Sequence, residues 1–464
     1  MTDPELQEAL ALRQRPLAES LSRWIAIPSV STDPEHRDDV RRSAEFLRQA
    51  ALAAGFPRGE VWETAGHPAV FAERTEDPAL PTILVYGHHD VQPADPIEEW
   101  EKAPFEALER DGLLLGRGAS DDKGHVVMHL EAVRACLDAR GRLPVNLKLL
   151  VEGEEEDGSD NFEALLRAHL PELAADVAVI SDTGMLAEDR PALTVGVRGL
   201  DYWQLRITTS DVDLHSGVYG GAVLNPITVL VDMLASLHDR EGRVAVPGFY
   251  DDVLELSAVE REQLARLPFD EGAFLEDVGA RAGGEQGFTT LERRTIRPTM
   301  EICGIWGGYQ GEGSKTVIPA RAAAKLSSRL VPNQDPARIT ELVSAHLRRT
   351  APEGVLADFS LISSGRWAVT PSAHPAVDAA AAAVAEVWGK QPVFLREGGS
   401  IPAVALIAEL LRVPCVLLGV ALPGDRFHAP NERVHLAQLQ RGMEAVALLW
   451  DRYGEMGRAG LASA

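Results

Sequence analysis

Histidines and carboxylates gather at several points of the 464-residue sequence. His88, His89 and Asp90 follow the apolar run ILVYG, and Asp121 and Asp122 sit in GRGASDDKG. Glu154 to Asp157 sit in EGEEEDGS, Asp182 in ISDTG and His428 in GDRFHAPNE. Taken singly, each has an ordinary explanation: an acidic run is a solvated loop, and Asp121 or Asp122 caps a helix. Taken together they need another. Buried carboxylates repel one another unless a cation offsets their charge. Imidazole mixed with carboxylate suits zinc, manganese or cobalt better than magnesium or calcium. The set is larger than one four-coordinate ion with an open position requires, so a pair of ions fits better. Two such cations lower the pKa of a bridging water toward neutrality.

The groups follow elements that can hold them still. Strand-like runs are AVFAER (69–74), TILVYGH (82–88), VNLKLLVEGEE (145–155) and VAVISD (177–182). Helical patterns cover 4–26, 123–140 and 160–170. Apolar strands alternating with helices predict a mostly parallel sheet covered on both faces. In such sheets ligands bind at the carboxyl ends of the strands. After residue 198 the texture changes. DYWQLRIT (201–208) alternates apolar and polar residues, as a half-exposed strand does. Helices at 225–239 and 335–349 and strands at 323–331 and 355–362 complete an α+β pattern, with an irregular stretch up to about 300. The buried pattern returns with helix 374–388, strand PVFLRE, helix 400–411, strand PCVLLGV and a final helix from 431. The expected organisation is therefore an α/β domain in two pieces, 1–198 and 371–464, with an inserted domain over 199–370.

Composition excludes some functions. Hydrophobic residues make up 45% of the chain and charged residues 25%, with a formal net charge of −25. That much negative charge repels phosphate backbones and anionic lipid, so neither nucleic acid nor a membrane is an expected partner. The N-terminus has no apolar signal core, and the longest apolar region, 398–424, is interrupted by Glu409, Arg412 and prolines. Cys136, Cys303 and Cys415 show no zinc-ribbon spacing and read as reduced thiols. The expected location is the cytoplasm.

In order along the chain, GHHDVQP, GRGASDDKG, EGEEEDGS, ISD, DLHSGVYGG, GGYQGEGSKTVIP, RLVPNQDP, REGGSIP and HAPNE resemble the di-zinc metallopeptidase family of carnosinases, cytosolic dipeptidases, aminoacylases and glutamate carboxypeptidases. The dipeptidase branch is nearest in texture. The resemblance implies a zinc-peptidase-like α/β catalytic domain with an inserted α+β lid and dimerisation domain. It implies that His88 and Asp182 hold one divalent ion and Glu156 and His428 the other, with Asp121 bridging them. It also implies a cis peptide bond between Asp121 and Asp122. Asp90 would fix the His88 tautomer, and His89 falls at a position with no metal role. Zn2+ is the first expectation for the ions, with Mn2+ or Co2+ as alternatives.

The implied reaction is hydrolysis of an amide by a metal-bridging water. Glu155 takes its proton and returns it to the leaving amine. His215 would serve the developing oxyanion, often from the partner subunit's insert, so a homodimer is implied. Asn225 is either a second group in that region or simply a helix N-cap before Pro226. Arg329 would clamp a free C-terminal carboxylate with paired hydrogen bonds. Thr316 and Ser400 match positions that help hold that end, and GGS (398–400) offers backbone N–H groups to an anion. The expected substrate is thus a dipeptide. The alternatives are an N-acyl amino acid, a longer peptide cut as by a carboxypeptidase, or a catalytically dead relative that has lost its base. The presence of Glu155 ranks the last of these lowest.

Overall fold

The run TILVYGH forms the strand Thr82–His88, buried from its second residue onward. The structure is a computed structural model that describes residues 3–461 apart from 257, 266, 268, 278 and 400. The chain divides into two compact units. One comprises Met1–Val195, Val369–Leu395 and Ala403–Ala464; the other comprises Gly196–Ala368 and Arg396–Pro402.

The first unit is built on a nine-stranded sheet. At its centre Asn146–Glu152, Thr82–His88, Val177–Ile180 and Cys415–Leu417 run parallel. These strands are buried along almost their whole length, as strands of a parallel sheet covered on both faces are. Antiparallel strands flank them, with Arg58–Trp62 and Ala69–Arg74 on one side and Ala192–Val197 on the other. Helix Lys123–Arg140 is buried along most of its length, and Gly141, with φ 69°, ends it in a left-handed cap. It packs against Pro4–Ala11, Gln14–Ile25 and Leu436–Leu461.

Several expected elements differ in detail. The opening helix is two helices, Pro4–Ala11 and Gln14–Ile25. Pro16 explains the break: it cannot donate to the carbonyl of Leu12, and its ring would clash there. The final helix starts at Leu436, because Arg433–His435 is first a strand paired with Leu113–Leu115. The stretch before 300 holds the short helices Ala258–Ala265, Glu271–Asp277 and Thr290–Thr295. The last begins in a capping box between Thr289 and Glu292.

The second unit has a four-stranded antiparallel sheet in the order Thr299–Gly307, Arg321–Leu330, Gly199–Thr208, Leu356–Gly365. The alternation in Gly199–Thr208 sends Trp203, Leu205 and Ile207 to a core shared with helices Pro226–Ala235 and Pro336–Thr350. Among the described residues, no helix is long and apolar enough to cross a membrane.

Candidate metal centre

The parallel strands of the first unit deliver their side chains from their carboxyl ends, the topological place for a site in an open α/β sheet. His88 is the last residue of its strand and is fully buried. Its Nε2 lies 2.9 Å from Asp121 Oδ1 and 3.9 Å from Asp182 Oδ2. Asp121 precedes helix Lys123–Arg140 and its bond to Asp122 is cis. The other Asp121 oxygen lies 3.1 Å from His428 Nε2, which is also 3.2 Å from Glu156 Oε2. Two trios result: His88, Asp121 and Asp182, and Asp121, Glu156 and His428. Within each, one donor atom per residue lies within 4.8 Å of the others.

The donor chemistry fits divalent metal. Each trio mixes imidazole nitrogen with carboxylate oxygen, and three protein ligands leave a position open. The electrostatics agree. Burial would lower His88, but its hydrogen bonds to Asp121 and Asp90 hold it well above the usual histidine range. Contacts with Asp121 and Glu156 push His428 up to about 10. Asp182 is raised by burial and by Asp121, while Asp121 is held low by His428 and His88 against the effect of its own burial. A bound cation would satisfy the same carboxylates and release the imidazole protons. Burial, with Glu156 and Asp121 nearby, pushes Glu155 up to about 8.

Asp90 acts differently from the expectation. The nearer contact to His88 Nδ1 is the Asp90 carbonyl at 3.1 Å, with the carboxylate at 3.4 Å. The carboxylate oxygens accept instead from the Glu155 and Glu156 amides, at 3.3 and 3.0 Å. Asp90 thus orients the imidazole and fixes the loop that carries both glutamates. His89 is buried with Nε2 at 2.9 Å from the Pro68 carbonyl, a structural role.

The remaining expected residues belong to the second unit. His215 lies on the two-residue strand Leu214–His215, paired with Val317–Ile318. The Ser216 amide donates to the Thr316 carbonyl at 3.1 Å, so His215 and Thr316 share one ribbon. The Gly217 amide donates to His215 Nδ1 at 3.0 Å, which leaves the proton of a neutral ring on Nε2. Asn225 Oδ1 accepts the Ile227 amide at 2.9 Å, the N-cap geometry. Arg329 is half-buried on Arg321–Leu330, opposite Thr299 and Leu200. Near it in this unit, Arg198 donates to the carbonyls of Gly398 and Arg297 at 3.0 and 3.1 Å. A Cβ on Gly398 would meet the Arg294 carbonyl at 2.4 Å, so this turn admits only glycine. Ser400 lies outside the described residues.

Sequence reasoning missed several residues that support the centre. Gln92 donates to Glu156 Oε2 at 2.8 Å. Asp122 accepts the His88 amide at 3.2 Å and holds His125 Nδ1 at 2.9 Å, while His125 Nε2 accepts the Val420 amide at 3.2 Å. Glu432 accepts the Asp121 amide at 3.1 Å. For Gln92 and Glu432 the usable signal was a polar residue inside a quoted motif, GHHDVQP and HAPNE, with no role assigned to it.

The family model described as Peptidase family M20/M25/M40 matches residues 84–452. A Cys-Gly metallodipeptidase of Schizosaccharomyces pombe is 33% identical over 461 residues, covering 96% of this chain and 97% of that protein. The human Beta-Ala-His dipeptidase is 33% identical over 451 residues, covering 91% of this chain and 87% of that protein. Among solved structures, a Saccharomyces cerevisiae dipeptidase superposes with a TM-score of 0.83 at 30% identity, covering 97% of this chain and 98% of that one. A metallo-carboxypeptidase from Sulfolobus solfataricus gives 0.84 at 32%, covering 98% of this chain and 100% of that one.

Proposed function

Because the chain belongs to peptidase family M20/M25/M40, we propose that it is a metal-dependent dipeptidase that hydrolyses the amide bond of dipeptides with a free C-terminal carboxylate. The observation that carries this reading is the pair of His/carboxylate trios that share Asp121 and have Glu155 beside them. His88, Asp121 and Asp182 would hold one divalent ion and Asp121, Glu156 and His428 a second. Zn2+ is the first choice for a site of this donor type. Ions held there would supply the acidity for a bound water and the polarisation of the amide carbonyl. Glu155 takes the proton from the attacking water and returns it to the leaving amine nitrogen. Asp90 keeps Glu155 in place through its amide. His215, with its proton on Nε2, donates to the carbonyl oxygen as that oxygen gains charge.

Substrate selection rests on Arg329, whose fork matches a carboxylate, with Thr316, Ser400 and Asn225 as secondary contacts. The working unit in this reading is a homodimer formed through the second unit, with His215 serving the partner's site. Exposed apolar side chains on that unit, among them Val218, Leu224, Val231, Ile305 and Trp306, favour such an interface. Three free cysteines, two of them buried, favour a reducing cytoplasm.

The likeness to a metallo-carboxypeptidase keeps chain length open as the second reading. Assaying dipeptides, tripeptides and N-acetyl amino acids with Zn2+, Mn2+ or Co2+ tests both. The proposal expects kcat/KM to be highest for dipeptides. Preference for tripeptides supports the second reading, and preference for N-acetyl amino acids refutes both.

A further inference from the structure

Glu432 follows His428 in the same loop, and its side chain is wholly buried. Its carboxylate collects donors from the segment that ends at Asp121. Oε2 accepts the Arg117 guanidinium at 2.7 Å and the Gly118 amide at 2.9 Å. Oε1 accepts the Ser120 amide at 2.9 Å and the Asp121 amide at 3.1 Å. The Glu432 carbonyl takes the Gly116 amide at 2.9 Å. Arg117, itself buried, balances the charge and also donates to the Pro93 carbonyl at 3.0 Å. This concentration of donors on one carboxylate joins segments 311 positions apart.

The two segments need such a joint to different degrees. His88 ends a strand whose register with its parallel neighbours is set by the sheet ladder. Asp182 follows the strand Val177–Ile180 of that same ladder. His428 lies outside that ladder, five residues before the short strand Arg433–His435 that pairs with Leu113–Leu115. It sits in a loop where Arg426, His428 and Asn431 all adopt left-handed backbone, with φ of 60°, 55° and 63°. Arginine and histidine adopt that conformation at a cost the surroundings must offset, asparagine more readily. The Asp121 loop is wound tightly too: a Cβ on Gly118, at φ +85°, would meet Val91 at 2.7 Å.

We propose that Glu432 is the positioning residue that keeps Asp121 and His428 at ligand distance from each other. It governs affinity for the ion held by Asp121, Glu156 and His428 far more than for the ion held by His88, Asp121 and Asp182. This inference rests on the two-ion reading above. Glu432→Gln keeps the shape but turns an amide NH2 toward groups that are themselves donors, so part of the joint opens.

The test is Zn2+ binding by the full chain, dialysed against chelator-buffered zinc, with ions per folded chain counted by elemental analysis. Glu432→Gln should retain one ion at near-unmutated affinity and lose about tenfold or more on the other, the scale seen for partners of metal ligands. Glu432→Asp, which keeps the charge, should lose less. Should Glu432→Gln fail to fold, Arg117→Lys removes the guanidinium fork and should weaken the same ion. Two ions bound at unmutated affinity in a folded variant overturn the proposal. Equal weakening of both ions also overturns it, since that is what a general structural role would do. The unmutated chain, measured alongside, separates the two claims. If it binds two ions and the variants match it, Glu432 alone is misassigned. If it binds none, the two-ion reading fails and takes this inference with it.

Discussion

His428 meets Asp121 at 3.1 Å across 307 positions of sequence, on the carboxylate oxygen that His88 does not contact. One side chain therefore faces two imidazoles with its two oxygens. Replacing it removes a donor from both trios at once, whereas replacing His88 removes a donor from one. Asp121→Ala should hold fewer than two ions per chain after dialysis and be the more depleted of the two variants. Elemental analysis decides, and full occupancy in Asp121→Ala would rule out a bridge.

Arg329 is assigned to the substrate's carboxylate. A hydrogen bond to a charged group is worth roughly 1.5–3 kcal/mol, so Arg329→Ala should raise KM by about ten- to a hundredfold with kcat little changed. A C-terminally amidated dipeptide should be poor with the unmutated enzyme and lose little more with the variant. Equal losses on both substrates would make Arg329 structural.

His215 is assigned to the partner's site, so two inactive variants should complement. In a mixed dimer, the His215→Ala chain keeps its own Glu155 and receives His215 from the Glu155→Gln chain. Random re-pairing of an equal mixture by refolding should restore about a quarter of unmutated activity, given closed two-fold pairing. Heterodimers that show no recovery would return His215 to its own subunit or remove it from catalysis.

Asp201, fully buried in the second unit, accepts the Ser364 hydroxyl at 2.6 Å and the Thr340 hydroxyl at 3.4 Å. Burial pushes its carboxyl up from 3.8 to about 6. The folded chain thus holds this proton more tightly than the unfolded chain does. Folding is penalised above about pH 6, and the penalty fades as pH falls toward 4. Its ceiling is on the order of 3 kcal/mol. Asp201→Asn should therefore raise Tm at about pH 7.5 and lose that advantage near pH 4.5, measured with chelator present. An unchanged or lower Tm at the higher pH would show that the carboxylate is not penalised.

The α/β character was legible because the central strands are mostly apolar runs alternating with helical patterns, Lys148 being the one charged residue inside them. Helix Lys123–Arg140 was equally legible, since Arg140 is followed by a glycine that ends it. Local rules failed where one residue overrides a periodic pattern, as Pro16 does in the opening helix. They also failed where a signal is short, as in the Thr289–Glu292 capping box. At the site, titratable residues just past buried strands stood out because such strands rarely end in them without cause. The supporting residues did not. Glu432, Gln92 and the Asp122–His125 pair act through contacts with distant segments, and neither hydrophobic period nor residue type announces such contacts. The Asp90 carbonyl was hidden for a further reason: every residue has a carbonyl.

The central claim is that Glu155 moves the proton in a metal-dependent hydrolysis. Glu155→Gln keeps the side chain's shape and removes its basicity. Turnover of a good dipeptide by metal-loaded Glu155→Gln, with ion content measured on the same sample, tests the claim most directly. The account predicts a fall in kcat of about two or more powers of ten, with metal content equal to that of the unmutated enzyme. Near-normal turnover in the fully loaded variant would contradict it.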